Sequence, residues 1–199
     1  MLHTRPHIEA VAVFCGSRPG THPKLQASAT ELGHGLARAG LRLVYGGGCI
    51  GLMGAVADAV IEAGGEVTGV IPEFLTQREV AHERVNELFV TDSMHTRKRR
   101  MFEMADAFVT MPGGLGTLDE TVEIITWRQL GLHDKPILIC DVLGWAQGLL
   151  GAFETAIRDG FAEASARALY EVVPDVPSLL ARLATLKGTE HRADEAARL

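Results

Sequence analysis

Short apolar runs alternate with helix-length amphipathic stretches along almost the whole chain, and this alternation restricts the fold more than any other feature. The runs are VAVFC (11–15), LRLVY (41–45), VTGVI (67–71), ELFVT (87–91), AFVTM (107–111), PILIC (136–140) and a last one near 169–173. Helical periodicity covers 22–39, 50–63, 93–105, 116–130, 145–159 and 176–186. Apolar strands that each feed a helix specify a parallel sheet covered on both sides. The expected fold is therefore α/β, a doubly wound Rossmann-like parallel sheet with helices on both faces. Such sheets bind ligands beyond the carboxyl ends of their strands. Three glycine-rich turns fall at strand ends: Gly16-Ser17, Gly46 to Gly48, and Pro112 to Gly116. The one long irregular connection, 72–86, is a candidate binding loop.

At 199 residues the chain has the length of one nucleotide-binding domain, expected over 1–187, followed by a charged tail at 188–199. A net charge of −6 makes it a poor non-specific binder of nucleic acid or anionic membrane. No apolar run approaches the ~20 residues needed to span a bilayer, and the first residues lack a signal-peptide core, so a soluble cytoplasmic protein is expected. Cys15, Cys49 and Cys140 are odd in number and far apart, which fits reduced thiols better than disulfides. No activating partner stands near Cys15. The histidines have no metal-ligand spacing with one another or with Cys or acids, so neither a metal nor a cofactor is expected.

The most informative motif is Pro112-Gly113-Gly114-Leu115-Gly116-Thr117-Leu118-Asp119-Glu120, which follows a strand and opens a helix. Its glycines let backbone N–H groups face a ligand, and the helix dipole adds ~0.3–1 kcal/mol for an anion at its N-terminus. No Lys-Ser/Thr follows as in a Walker loop, and the spacing is not the dinucleotide pattern, so the natural guest is a single phosphate. A tight turn with an ordinary cap at Thr117 explains the glycines less well. The turn at Tyr45 to Gly54, with Gly48, can approach the base or ribose, and Ser17 follows the first strand at the same end of the sheet. The helix 50–63 that follows Gly48 is apolar nearly all round, which calls for burial on several sides.

Helical geometry singles out individual side chains. On 93–105, Met94, Arg97, Lys98, Met101, Met104 and Ala105 share an arc of about 120°, while Arg99, Arg100 and Glu103 lie outside it. Arg97 and Lys98 thus face inward among methionines and require an anion, either Glu120 or a bound phosphate. On 116–130, Leu118, Val122, Ile125 and Gln129 form a stripe expected to pack on the sheet. Glu120, Glu123, Ile124 and Trp127 form a second stripe that needs other cover. With the apolar helix 50–63, that second stripe predicts at least a dimer.

These residues resemble the Lonely Guy family of cytokinin riboside 5′-monophosphate phosphoribohydrolases, long labelled possible lysine decarboxylases. The resemblance runs from about Val11 to Val173. It is carried by Val13-Phe14-Cys15-Gly16-Ser17, Tyr45 to Gly54, Gly69-Val70-Ile71-Pro72, Met94-His95-Thr96-Arg97-Lys98, Pro112 to Glu120, and Ile125-Thr126-Trp127 through Leu132-His133-Asp134-Lys135-Pro136. It implies that Arg97 and Glu120 are the catalytic pair. It also implies that Lys98, Gly113, Gly114, Gly116, Thr117, Thr126 and Glu79 line the nucleotide site; Glu79 is supported only in this way. Ser17, Gly48 and Met94 complete the candidate substrate-binding set. A dimer or higher homo-oligomer with active sites near the subunit interface is implied as well. Asp119 stands where the family often has glutamate.

The implied reaction is hydrolysis of the N-glycosidic bond of an adenine-type nucleoside 5′-monophosphate, a cytokinin ribotide or AMP, giving free base and ribose 5-phosphate. The phosphate would sit on the 113–117 amides with help from Lys98, and the ribose across Glu120. Positive charge develops at the anomeric carbon as the base leaves, as in glycoside hydrolysis. Glu120 would stabilise it, bind ribose hydroxyls or activate water, and Arg97 would orient Glu120 and keep it ionised. The decarboxylase label conflicts with the chemistry, since that reaction normally needs an electron sink such as pyridoxal phosphate on a lysine, and no partner for one stands out. The competing class is a non-catalytic nucleotide or molybdenum-cofactor binding protein of the same fold; the presence of both Arg97 and Glu120 favours the enzyme.

Overall fold

A computed structural model describes residues 8–76 and 80–186. Glu79 and the tail at 188–199 lie outside the described residues.

The alternating runs become seven strands: β1 (Ala10–Phe14), β2 (Arg42–Tyr45), β3 (Val67–Pro72), β4 (Glu87–Thr91), β5 (Ala107–Thr110), β6 (Ile137–Cys140) and β7 (Glu171–Val173). Six helices connect or follow them: α1 (Pro23–Arg38), α2 (Gly51–Glu62), α3 (Met94–Met104), α4 (Leu115–Gln129), α5 (Gln147–Arg158) and α6 (Val176–Thr185). The strands form one parallel sheet in the order β4-β3-β2-β1-β5-β6-β7. The expected doubly wound Rossmann-like architecture is what the chain adopts.

Strand alternation divides the core into two layers. Val11, Val13 and Cys15 point to one face, where Leu32 and Leu36 of α1, Val56 and Val60 of α2, and Leu179 and Leu183 of α6 cover them. Ala10, Ala12 and Phe14 point to the other, against Met101 and Phe102 of α3 and Ile124 and Ile125 of α4. Side chains i and i+2 share a face of a strand, so two apolar residues in succession serve both layers. Asp106, just before β5, accepts hydrogen bonds from the backbone N–H groups of Glu9 and Ala10, both at 2.9 Å, and so pins the start of β1 to that of β5. Among the described residues no helix is long and apolar enough to cross a membrane.

Two expectations about helix faces need correction. Of the stripe of α4 expected on the sheet, Ile125 is buried and Leu118 half-buried, but Val122 and Gln129 are exposed; the inward face is instead made by Thr117, Glu120, Thr121, Ile124 and Ile125. Threonines can occupy that inner face because Thr121 Oγ1 donates to the Thr117 carbonyl at 2.7 Å and lies 2.8 Å from Thr110 Oγ1. These hydrogen bonds offset the cost of taking the Thr121 and Thr110 hydroxyls out of water. The helix α2 is indeed buried on several sides, but α1 and strands β2 and β3 supply the cover within the chain.

The order of the strands reverses between β1 and β5, because the chain builds outward through β2, β3 and β4 before returning to β1's other side. A crevice opens at the carboxyl ends of strands on either side of such a reversal.

Candidate active site

The crevice is walled by two turns that are bonded to each other. Gly16 N–H, after β1, donates to the Pro112 carbonyl, after β5, at 3.0 Å. The Gly16 carbonyl in turn accepts from Leu52 and Met53 N–H at 3.0 and 3.2 Å, which fixes the start of α2 on the same spot. From the far side the Trp145 indole donates to the Gly113 carbonyl at 3.1 Å.

The glycines of the 112–117 turn have different reasons. A Cβ on Gly113 would lie 2.1 Å from Thr117 Oγ1 and 2.8 Å from Gly16 N, so close packing demands glycine there. A Cβ on Gly114 or Gly116 would meet nothing within 4 Å. Gly114 is the N-cap of α4 and no side chain caps the helix. The first N–H groups of α4 therefore face the cavity, the arrangement that binds anions at helix N-termini.

Arg97 lies beneath this turn, delivered by α3. Ser93 starts the helix, its Oγ accepting from Thr96 N–H at 3.2 Å. One turn later Arg97 points at the sheet and is only 5% exposed. Its Nε donates to the Val70 carbonyl at 3.1 Å and Nη2 to the Gly46 carbonyl at 3.4 Å, while Nη1 stands 3.6 Å from Glu120 Oε1. Gly46 makes room for it: a Cβ there would sit 2.1 Å from Nη2. Glu120, on the second turn of α4, is itself buried. A buried ion pair of this kind is costly to assemble, and its presence at the floor of a crevice fits a functional role better than a stabilising one.

The cavity has a volume of about 740 Å³. Of the candidate residues, Ser17, Met94, Arg97, Gly113, Gly114, Gly116, Thr117 and Glu120 line it. Gly48 does not; it pairs with Ala81 in an isolated antiparallel bridge. Lys98 is also outside, its Nζ lying 2.6 Å from Asp119 and 3.1 Å from Glu123. Thr126 is exposed on the outward face of α4 and donates to the Val122 carbonyl at 2.8 Å. Several lining residues carried no sequence signal, among them Leu25 and Trp145, whereas Leu75 belongs to the 72–86 connection expected to approach a ligand. Arg18 also lines the cavity; sequence reasoning missed it, although its place directly after the Gly16-Ser17 turn is a signal that could have found it. Cys15 lies in the wall, where burial and then the charge of Glu120 push its thiol pKa up, the opposite of what activates a cysteine nucleophile. Among the described residues no lysine lines the cavity.

Comparison with known proteins matches residues 53–183 to the family described as "Possible lysine decarboxylase". The chain is 48% identical over 173 residues to a probable cytokinin riboside 5′-monophosphate phosphoribohydrolase of Oryza sativa subsp. japonica, covering 87% of this chain and 76% of that one. It is 40% identical over 180 residues to a cytokinin riboside 5′-monophosphate phosphoribohydrolase of Arabidopsis thaliana, covering 90% and 84%. Among solved structures, the molybdenum cofactor carrier protein of Chlamydomonas reinhardtii superposes with a TM-score of 0.67 at 23% identity, over 88% of this chain and 96% of that one. The molybdenum cofactor binding protein of Rippkaea orientalis does so with 0.67 at 20% identity, over 89% and 96%. These structural likenesses concern the fold.

Proposed function

From membership of the possible lysine decarboxylase family, the Lonely Guy phosphoribohydrolases, to which this chain belongs, we propose that it hydrolyses the N-glycosidic bond of adenine-type nucleoside 5′-monophosphates. The products are free base and ribose 5-phosphate. The observation that carries the reading is the Arg97–Glu120 pair, 3.6 Å apart at the floor of a cavity whose rim is an uncapped helix N-terminus.

The parts divide the work. The phosphate rests on the first amides of α4, with Thr117 beside them. This holds the ribose over Glu120, whose carboxylate stabilises the positive charge that develops at the anomeric carbon as the base departs. Arg97 orients Glu120, and is itself held by the Val70 and Gly46 carbonyls. The lysine that decarboxylation through a pyridoxal cofactor would need has no counterpart among the described residues of the cavity. Lys98 is engaged by two carboxylates, and Lys135 donates to the Phe102 carbonyl at 2.8 Å.

The proposal includes a pairing of two copies through the outward face of α4. Leu115 is 86% exposed and Leu130 68%, with Val122 on the same side. Thr126 lies on that face, so pairing there is what would bring it near a nucleotide.

Incubation with AMP, prenylated AMP and adenosine, followed by assay for free base and ribose 5-phosphate, tests the function. Release of base from a monophosphate, with adenosine a very poor substrate, is expected, because binding energy from the phosphate holds the ribose in place. Binding of the monophosphates with no release of base refutes it.

A further inference from the structure

Resting on the nucleotide reading above, we propose that Arg18, and not Lys98, is the cation that neutralises the substrate's 5′-phosphate. A phosphate monoester brings a charge of roughly −1.5 to −2 near neutral pH. A helix N-terminus supplies only about +0.5. Glu120 adds a negative charge to the same cavity, and Arg97 is committed to it. One further cation is needed at the rim.

Lys98 is poorly placed to supply it. Its ammonium is held by Asp119 and Glu123 on α4, and it does not line the cavity. Arg18 does line it, together with the residues of the 112–117 turn. Its backbone is wedged in place: a Cβ on Gly51 would lie 2.4 Å from Arg18 N, and one on Gly16 3.1 Å from Arg18 O and 3.2 Å from Gly113 Cα. The root of the side chain is therefore fixed beside the starts of both α2 and α4. The side chain is exposed, and no ion pair or hydrogen bond engages its guanidinium among the described residues. A guanidinium offers a planar fork that meets phosphate oxygens with two parallel hydrogen bonds.

The test is calorimetric affinity for ribose 5-phosphate and inorganic phosphate in the wild type, Arg18→Ala, Arg18→Lys and Lys98→Ala. Arg18→Ala should weaken both ligands about tenfold or more, Arg18→Lys should recover part of that, and the loss in Lys98→Ala should be smaller than in Arg18→Ala. Should Arg18→Ala prove insoluble, Arg18→Gln takes its place. Affinity in Arg18→Ala within twofold of wild type overturns the proposal, as does an equal or larger loss in Lys98→Ala, or a wild type that binds neither ligand at millimolar concentration. Base release from AMP is followed on the same wild-type preparation. Phosphate binding through Arg18 without base release refutes the hydrolase reading and leaves this assignment standing.

Discussion

Glu120 and Arg97 are the residues on which the proposed chemistry turns, and each makes a distinct demand. Glu120→Gln keeps shape and volume but removes the negative charge, so base release should fall at least about 100-fold with unfolding still cooperative. Near-wild-type turnover in that variant, measured by base release, would take Glu120 out of the mechanism. Arg97→Ala should lose activity and stability together, because it deletes a buried cation and its bonds to Val70 and Gly46. Arg99→Ala breaks only the half-exposed pair with Glu103 at 3.0 Å and should cost about 0.3–0.5 kcal/mol with activity retained. Activity and thermal midpoints of the two variants, measured side by side, check the contrast. The direction of these side chains was legible from helical periodicity, since Arg97 and Arg99 differ by 200° around α3. The destination of Lys98 was not. Two carboxylates on the following helix decide it, and no pattern within α3 reveals a partner on α4.

At the scale of elements, the strands and helices were readable because the central strands are apolar on both sides and five of the seven, all but β4 and β6, reach glycine or proline within two residues of their ends. The faces of α4 were not, since Leu118 and Val122 imitate a core stripe while the inner face hides Thr121, which bonds to Thr110 of β5 and to the Thr117 carbonyl. The join between α3 and α4 makes its own prediction. His133 Nε2 donates to the Ile124 carbonyl of α4 at 2.9 Å, and Nδ1 accepts from Lys135 N–H at 3.2 Å. Phe102 of α3 packs on the His133 ring at 5.2 Å and on Trp127 at 5.3 Å. Burial pushes the His133 imidazole down from 6.5 to about 4. Between those values the unfolded chain takes up a proton that the folded chain refuses, so stability is full above pH 6.5 and declines as pH falls toward 4. The loss at the lower end should reach about 3 kcal/mol. Thermal midpoints across that window should slope for the wild type and flatten for His133→Gln; equal slopes would show that His133 does not govern the decline.

For the molecule as a whole, the reason first found for self-association has gone. Met53, Val60 and Ile124 are 5%, 0% and 3% exposed within one chain, and Trp127 is half-buried against Phe102. Of the large apolar side chains that stay exposed among the described residues, Leu115, Val122 and Leu130 share the outward side of α4, and that side adjoins the cavity at Leu115. Light scattering at micromolar concentration should therefore give a mass above the 21.4 kDa of one chain, and Leu130→Asp should lower it. A fully active 21.4 kDa species in the wild type would rule the pairing out.

The reversal of strand order between β1 and β5 also dictates when, and not only where, the cavity comes into being. α1 and α2 are separated by a single strand and can meet early in refolding. Pairing Val11 with Ala107 closes the whole segment that carries β2, β3 and β4, and is expected to come late. Closure of so long a segment is entropically expensive and slow. Both walls of the crevice, and the bond from Gly16 to Pro112, wait on that event. On dilution from denaturant, helical circular dichroism should return ahead of base release, and the enzyme's activity becomes a clock for the last step of its own renaturation.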